Sequence, residues 1–183
     1  QYRFHLDAQT IVIDDYLEIR PENREKIEGY VREGRLLIGP WYVQNDFHLS
    51  SGEATVRNLL IGTRKAEELG KCTYVGYAAD QFGIISQLPQ ILRGFGIHSF
   101  IFARGYSGEK NQFYWESPNG DRVLCEYLSG WYNNLQRLPS DCERALSFIR
   151  KKAAQCFEGA YGESALLMNG VDHLEAQEDL SKI

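Results

Sequence analysis

The chain has 183 residues, 43% of them hydrophobic, and a formal net charge of -5 spread over interleaved acidic and basic residues. This composition suits one globular domain with a sizeable core and argues against disorder; the lack of a basic patch argues against a nucleic-acid partner. No apolar run approaches the ~18 residues a membrane span needs, and no basic-then-apolar signal pattern opens the chain.

In chain order, residues 1–7 read as a strand, with Tyr2, Phe4 and Leu6 alternating against Arg3, His5 and Asp7. Residues 14–34 read as a helix interrupted at Pro21, whose second part carries Ile27, Tyr30 and Val31 and ends at Gly34. Residues 35–39 form a buried strand that runs into an aromatic and polar loop from Pro40 to Asp46. Ser50-x-x-Glu53 has the capping-box pattern, and the helix it opens places Val56, Leu59, Leu60, Ala66 and Leu69 on one face. An apolar strand over residues 74–79 then climbs to Asp80, with a glycine turn at Gly83 and a helix over 86–95. Residues 98–103 form the next strand, ending in Arg104-Gly105.

Strand and helix alternate at a spacing that predicts parallel strands with crossover helices, hence an α/β fold. A hairpin interrupts the alternation, its strands at 113–117 and 122–127 flanking the Asn119-Gly120 turn signal. A loop rich in glycine and aromatic residues follows over 129–134, then a long helix over 139–157. A short apolar strand over 164–168 runs into Asn169-Gly170-Val171-Asp172-His173, and a last helix starts near Glu175. Both ends read as interrupted elements, so the chain is expected to be a piece of a larger protein, one partial catalytic domain over 1–183. The four cysteines (Cys72, Cys125, Cys142, Cys156) show no C-x-x-C pair and read as reduced and buried, which suggests a cytoplasmic protein.

In a parallel α/β domain the strand tips lie on one face, where chemistry is kept. The tips here carry Asp7 with Gln9, Trp41 with Asp46, Asp80, Arg104, and Asp172 with His173. Two facing carboxyl groups suit glycoside hydrolysis, one attacking the anomeric carbon or activating water, the other protonating the leaving oxygen. The structural alternatives are that Asp80 and Asp172 cap the helices following them, that Trp41 and Phe82 are core aromatics, and that Asp7 and His5 are structural.

Several stretches carry a resemblance in order along nearly the whole chain: Phe4-x-Leu6-Asp7-x-Gln9, Asp15-Tyr16-Leu17-x-x-Arg20-Pro21, Gly39-Pro40-Trp41-Tyr42, and Ser51-Gly52-Glu53 with Arg57-Asn58-Leu59-Leu60-x-Gly62. They continue with Gly76-Tyr77-x-x-Asp80-x-Phe82-Gly83, Gln87-x-Pro89-Gln90-Ile91, Arg104-Gly105 and Asn169-Gly170-x-Asp172-His173. The chain thereby resembles the N-terminal catalytic domain of the glycoside hydrolase family 38 α-mannosidases. The resemblance implies part of a seven-stranded (β/α) barrel-like domain and a retaining, zinc-assisted cleavage of terminal α-linked mannose. It makes Asp80 the nucleophile and a zinc ligand, and Asp172 the acid/base. Trp41, Asp46 and Phe82 become sugar-facing residues and Arg104 an arginine beside the metal and nucleophile; His173, a further substrate-binding candidate, is read as holding Asp172, touching sugar or facing solvent. It also places the other zinc ligands outside these residues. The chain departs from the family pattern at Ile84, where histidine is usual, and at Ala8, where glycine is common.

The expected partner is a mannoside or mannose-containing oligosaccharide, with no membrane; a homo-oligomer stays open. Mannosylglycerate or phosphomannosylglycerate hydrolysis is the nearest alternative. A metal-dependent sugar deacetylase lacks its histidine pair, and a non-catalytic sugar-binding module would need neither carboxylate.

Overall fold

The structure is a computed structural model that describes residues 3–183. Gln1 and Tyr2, part of the expected first strand, lie outside the described residues. The elements are β1 (Phe4–His5), α1 (Ile11–Ile19), α2 (Arg24–Arg32), β2 (Leu36–Leu37), α3 (Gly52–Glu68), β3 (Gly76–Ala78), α4 (Leu88–Gly94), β4 (Ser99–Phe102), β5 (Gln112–Glu116), β6 (Arg122–Tyr127) and α5 (Cys142–Phe157). Short 3-10 turns occupy Pro21–Asn23 and Leu180–Lys182. The first of them shows how Pro21 acts: it ends α1 and supplies a pre-set φ for the turn leading into α2.

The strands form two sheets, β1 beside β2 and the order β3-β4-β6-β5. Every pairing is parallel except the β5–β6 hairpin, as the sequence predicts. The described strands do not close into a barrel. Trp41 joins the two sheets: its backbone N–H donates to Ala8 O at 3.0 Å and its indole Nε1 to Tyr77 O at 2.8 Å. A second tie runs from Thr73 N–H to Ile38 O at 2.9 Å.

One core forms around β3, β4 and β6, with Leu59, Leu88, Leu92, Phe100 and Val123 fully buried. A smaller one gathers Ile13, Val31, Ile38, Ala66 and Leu69 under α1, α2 and α3. Helix α3 can approach the loop after β2 because Gly62 has no side chain. A Cβ there would lie 2.2 Å from the Trp41 carbonyl carbon, so the ~1 kcal/mol helix penalty of glycine is offset by close packing. One turn earlier, Asn58 pins the same loop, its Oδ1 accepting from Tyr42 N–H at 2.7 Å and its Nδ2 donating to Val43 O at 2.6 Å.

Four expectations are corrected. Ser51, not Ser50, caps α3, accepting from Ala54 N–H at 3.1 Å, while Glu53 turns to Arg57 instead of closing a capping box. Residues 164–168 are not a strand. They run beside the Asn134 side chain, whose Oδ1 accepts from Met168 N–H at 2.8 Å and whose Nδ2 donates to Leu166 O at 3.1 Å, so a side-chain amide stands where a neighbouring strand would. No helix starts at Glu175 either. Gln177 holds that stretch open by exchanging hydrogen bonds with Leu138, accepting from its N–H at 3.0 Å and donating to its O at 2.7 Å. Finally, Cys142 is exposed at the start of α5, whereas the other three cysteines are buried; all four are free. Burial pushes the Cys72 and Cys125 thiols up to about 12.

Candidate active site

The parallel strands deliver their C-terminal ends to one side. Asp7 follows β1, Gln44 lies beyond β2, Asp80 stands two residues past β3, Arg104 two residues past β4, and the loop 129–134 follows β6. A cleft of about 490 Å³ opens among them, lined by Asp7, Gln44, Tyr77, Asp80, Tyr132 and Asp172, among others. The two expected catalytic carboxylates are thus brought together, although 164–172 is not the strand expected to carry the second.

Asp80 is held from one side. Arg104 Nε donates to Asp80 Oδ1 at 2.8 Å, and Arg104 Nη2 contacts the same oxygen. The Asp80 side chain keeps 42% of its surface open, so the free oxygen can meet a ligand. Asp80 does not cap the next helix, which starts at Leu88 with Gln87 as its cap. Asp172 is more open, with 57% of its side chain exposed. Tyr132 Oη donates to its Oδ1 at 3.0 Å, and His173 Nε2 lies 3.0 Å from its Oδ2. No helix follows Asp172 for it to cap. Burial, with the bond to Asp172 next, raises the Tyr132 hydroxyl above its ordinary value, and the Asp172 and Asp80 charges add to the rise. Tyr132 therefore feels both carboxylates.

The expected sugar-facing residues divide. The Phe82 ring is 66% exposed and lies 4.7 Å from the Arg104 guanidinium. His173 is nearly fully exposed and touches Asp172. Asp46, like Phe82, Arg104 and His173, is outside the cleft lining, and its Oδ1 accepts from Phe82 N–H at 3.1 Å, so it steadies the turn after Asp80. Trp41 is a correction: it is 1% exposed, its ring packs edge-on against Phe47, and its indole is spent on Tyr77 O. No sugar can reach it there; its work is to join the sheets.

Gln44 and Tyr132 line the cleft without having been singled out from the sequence, and so does Asp7, which the sequence offered only as a strand-tip polar group or a structural residue. Asp7 and Ala8 have left-handed backbones, φ 45° and 56°, which L side chains rarely adopt. Glycine at position 8 would suit that backbone. Asp7 Oδ2 accepts from Gln9 Nε2 at 3.1 Å, and Gln44 Nε2 donates to Asp7 O at 2.6 Å. Gln44 in turn accepts from Gln81, next to Asp80. Desolvation raises the Asp7 carboxyl above the ordinary 3.8, hydrogen bonds from Gln44 and Gln9 oppose the rise, and the Asp172 charge adds to it. Asp7 was legible only as a polar residue at a strand tip, and Tyr132 only as part of an aromatic loop.

Zinc with Asp80 as ligand was expected. Among the described residues no group of three or more His, Cys, Asp or Glu side chains comes together to hold a metal ion, and a catalytic zinc site takes about three protein ligands. These residues do not by themselves fit a zinc ion.

A parallel α/β domain with one carboxylate beyond a strand end and a second from an irregular stretch in the same cleft is an architecture suited to glycoside cleavage. The profile of "Glycosyl hydrolases family 38 N-terminal domain" matches residues 1–182, and the chain belongs to that family. It is 40% identical, over 98% of its length and 22% of the relative's, to a protein of Halalkalibacterium halodurans named "Putative mannosylglycerate hydrolase". An α-mannosidase of Homo sapiens is 34% identical over 57% of this chain and 11% of its own. Among solved structures, an α-mannosidase from Enterococcus faecalis superposes with a TM-score of 0.91 at 38% identity, over 98% of this chain and 21% of that one. The chain thus spans about a fifth of the length of these two bacterial relatives. No helix among the described residues is long and apolar enough to cross a membrane.

Proposed function

We propose that this chain forms part of the catalytic domain of an α-mannoside hydrolase, with Asp80 as nucleophile and Asp172 as acid/base. The observation that carries the reading is that both carboxylates line one cleft, Asp80 engaged on one oxygen by Arg104 and Asp172 engaged by Tyr132 and His173. An Asp80 oxygen attacks the anomeric carbon as the bond from that carbon to the departing oxygen breaks, and Asp172 gives that oxygen its proton. Asp172 then takes a proton from water, the water oxygen bonds to the anomeric carbon, and the Asp80–sugar ester opens. Net retention follows from two displacements.

Arg104 fixes the bonded oxygen of Asp80 and leaves the other free for attack. Tyr132 holds the orientation of Asp172. Phe82 presents an exposed ring face suited to the apolar side of a sugar. Zinc enters this reading only with ligands supplied from beyond these residues.

Hydrolysis of mannosylglycerate is the second reading, favoured by the name of the Halalkalibacterium relative. No lysine or arginine lines the cleft among the described residues, whereas Asp7, Asp80, Asp172 and Glu175 do. That lining favours a neutral leaving group over an anionic glycerate. The test uses the full-length enzyme with an aryl α-mannoside and with mannosylglycerate. Turnover of the first, nearly abolished by Asp80→Asn, is expected; near-normal rates in that variant would remove the assignment. Selective turnover of mannosylglycerate would decide for the second reading.

A further inference from the structure

Trp131 stands in the loop after β6 with a left-handed backbone, φ 87°. A bulky residue in that region is strained and persists only where its surroundings hold it there. The loop is anchored at its root: Leu128 N–H donates to Phe102 O at 2.8 Å, and Trp131 N–H to Leu128 O at 3.0 Å. The indole ring lies 4.9 Å from the Arg104 guanidinium carbon. The Phe82 ring lies 4.7 Å from the same carbon. Arg104 is thus in contact with two aromatic faces while its Nε donates to Asp80 at 2.8 Å.

We propose that Trp131 is a positioning residue: together with Phe82 it clamps the Arg104 guanidinium and so fixes that group on Asp80. The proposal rests on the reading that Asp80 carries the chemistry, and it adds a residue that reaches Asp80 only through Arg104.

The physical reason is the freedom of an arginine side chain. A planar guanidinium packs against aromatic rings, and this contact restrains its swing without competing for its N–H donors. Phe82 alone leaves the other contact to solvent, and an arginine able to swing away would leave Asp80 without its fixed partner. The neighbouring residue extends the effect across the cleft. Tyr132, whose ring lies 5.2 Å from the Trp131 ring, bonds Asp172. One loop therefore bears on both carboxylates, through Trp131 and Arg104 on one side and directly through Tyr132 on the other.

The experiment compares Trp131→Leu, which fills space without a π face, with Trp131→Phe, which restores one, in the full-length enzyme. Trp131→Leu should lower kcat on an aryl α-mannoside by about 10- to 100-fold with little change in KM, as misplacement of a reacting group does. Trp131→Phe should recover most of the rate. In an Arg104→Ala background, Trp131→Leu should add almost nothing, because the group it positions is gone. Crystal structures supply the arm that does not depend on turnover: the Arg104–Asp80 contact opens in the leucine variant and stays in the phenylalanine one.

A leucine variant with that contact intact would overturn the proposal. So would a loss that adds fully to that of Arg104→Ala, which would mean that Trp131 acts on the substrate directly. If the wild-type enzyme hydrolyses no mannoside, the functional reading falls, and the structures still decide the clamp.

Discussion

The two halves of the cleft are built differently. Asp80 follows a buried parallel strand, and Arg104, itself against two aromatic rings, pins one of its oxygens. Asp172 sits on a stretch without regular structure, held by the Asn134 amide, by one tyrosine hydroxyl and by an exposed histidine. The contrast suits the two tasks proposed for them. A nucleophile gains from being fixed before the substrate arrives, because orientation removes entropy from the barrier. An acid/base must exchange protons with a leaving oxygen and then with water, so it needs access.

The contrast predicts unequal losses. Arg104→Ala in the full-length enzyme should cost about 10²- to 10³-fold in kcat/KM, since it leaves a carboxylate without its charged partner. Tyr132→Phe should cost only about tenfold, the scale of one hydrogen bond. Steady-state kinetics on an aryl α-mannoside checks both, and the reverse order would break the comparison.

Next comes the joint beneath the pinned half. Trp41→Ala should destabilise the protein by about 3–5 kcal/mol, the range for truncating a buried aromatic ring, and denaturant unfolding measures it. If Trp41 instead contacted sugar, the same change would raise KM and leave stability nearly unchanged.

The loosely held half has its own test. Asn134→Ala leaves Met168 N–H and Leu166 O without their side-chain partner, at about 1–3 kcal/mol. Amide exchange over residues 164–172 should speed up markedly while β3 amides stay protected. Equal acceleration in both would contradict the division.

The smallest effect concerns Asp7, the third carboxyl, which faces Asp172. Its folded-state pKa is raised, so the folded protein favours the protonated form and the ionised form weakens the fold. Asn tolerates the same left-handed backbone. Asp7→Asn should therefore raise Tm at neutral pH, and the gain should vanish as pH falls below the ordinary 3.8, where both states are protonated. Thermal melts across that range check the sign; a gain that grew at low pH would refute it.

Much of the pinned half was legible in the sequence. An apolar run ending in Asp80 and a glycine turn reads as a strand tip, and Asn119-Gly120 reads as a hairpin, because both signals are local. The other half was less so. Residues 164–168 have the apolar look of a strand, but their partner is the side chain of Asn134, about thirty residues earlier and invisible to periodicity. Trp41 reads from the sequence as sugar-facing or as a core aromatic, and only the tertiary fold decides between them by showing its indole donating to Tyr77 O. Asp7 and Tyr132 became site residues through convergence, which spacing cannot supply. The pairing of Asp80 with Asp172, 92 positions apart in the chain, rested on the rule that parallel strands share one functional face.

The most direct measurement is to trap the sugar on the enzyme. The full-length protein, treated with a 5-fluoro mannosyl fluoride that slows release of the glycosyl-enzyme, should gain one sugar mass, and peptide mapping should place it on Asp80. A label on any other carboxylate, or turnover of mannosides with inversion and no label, would contradict Asp80 as the nucleophile.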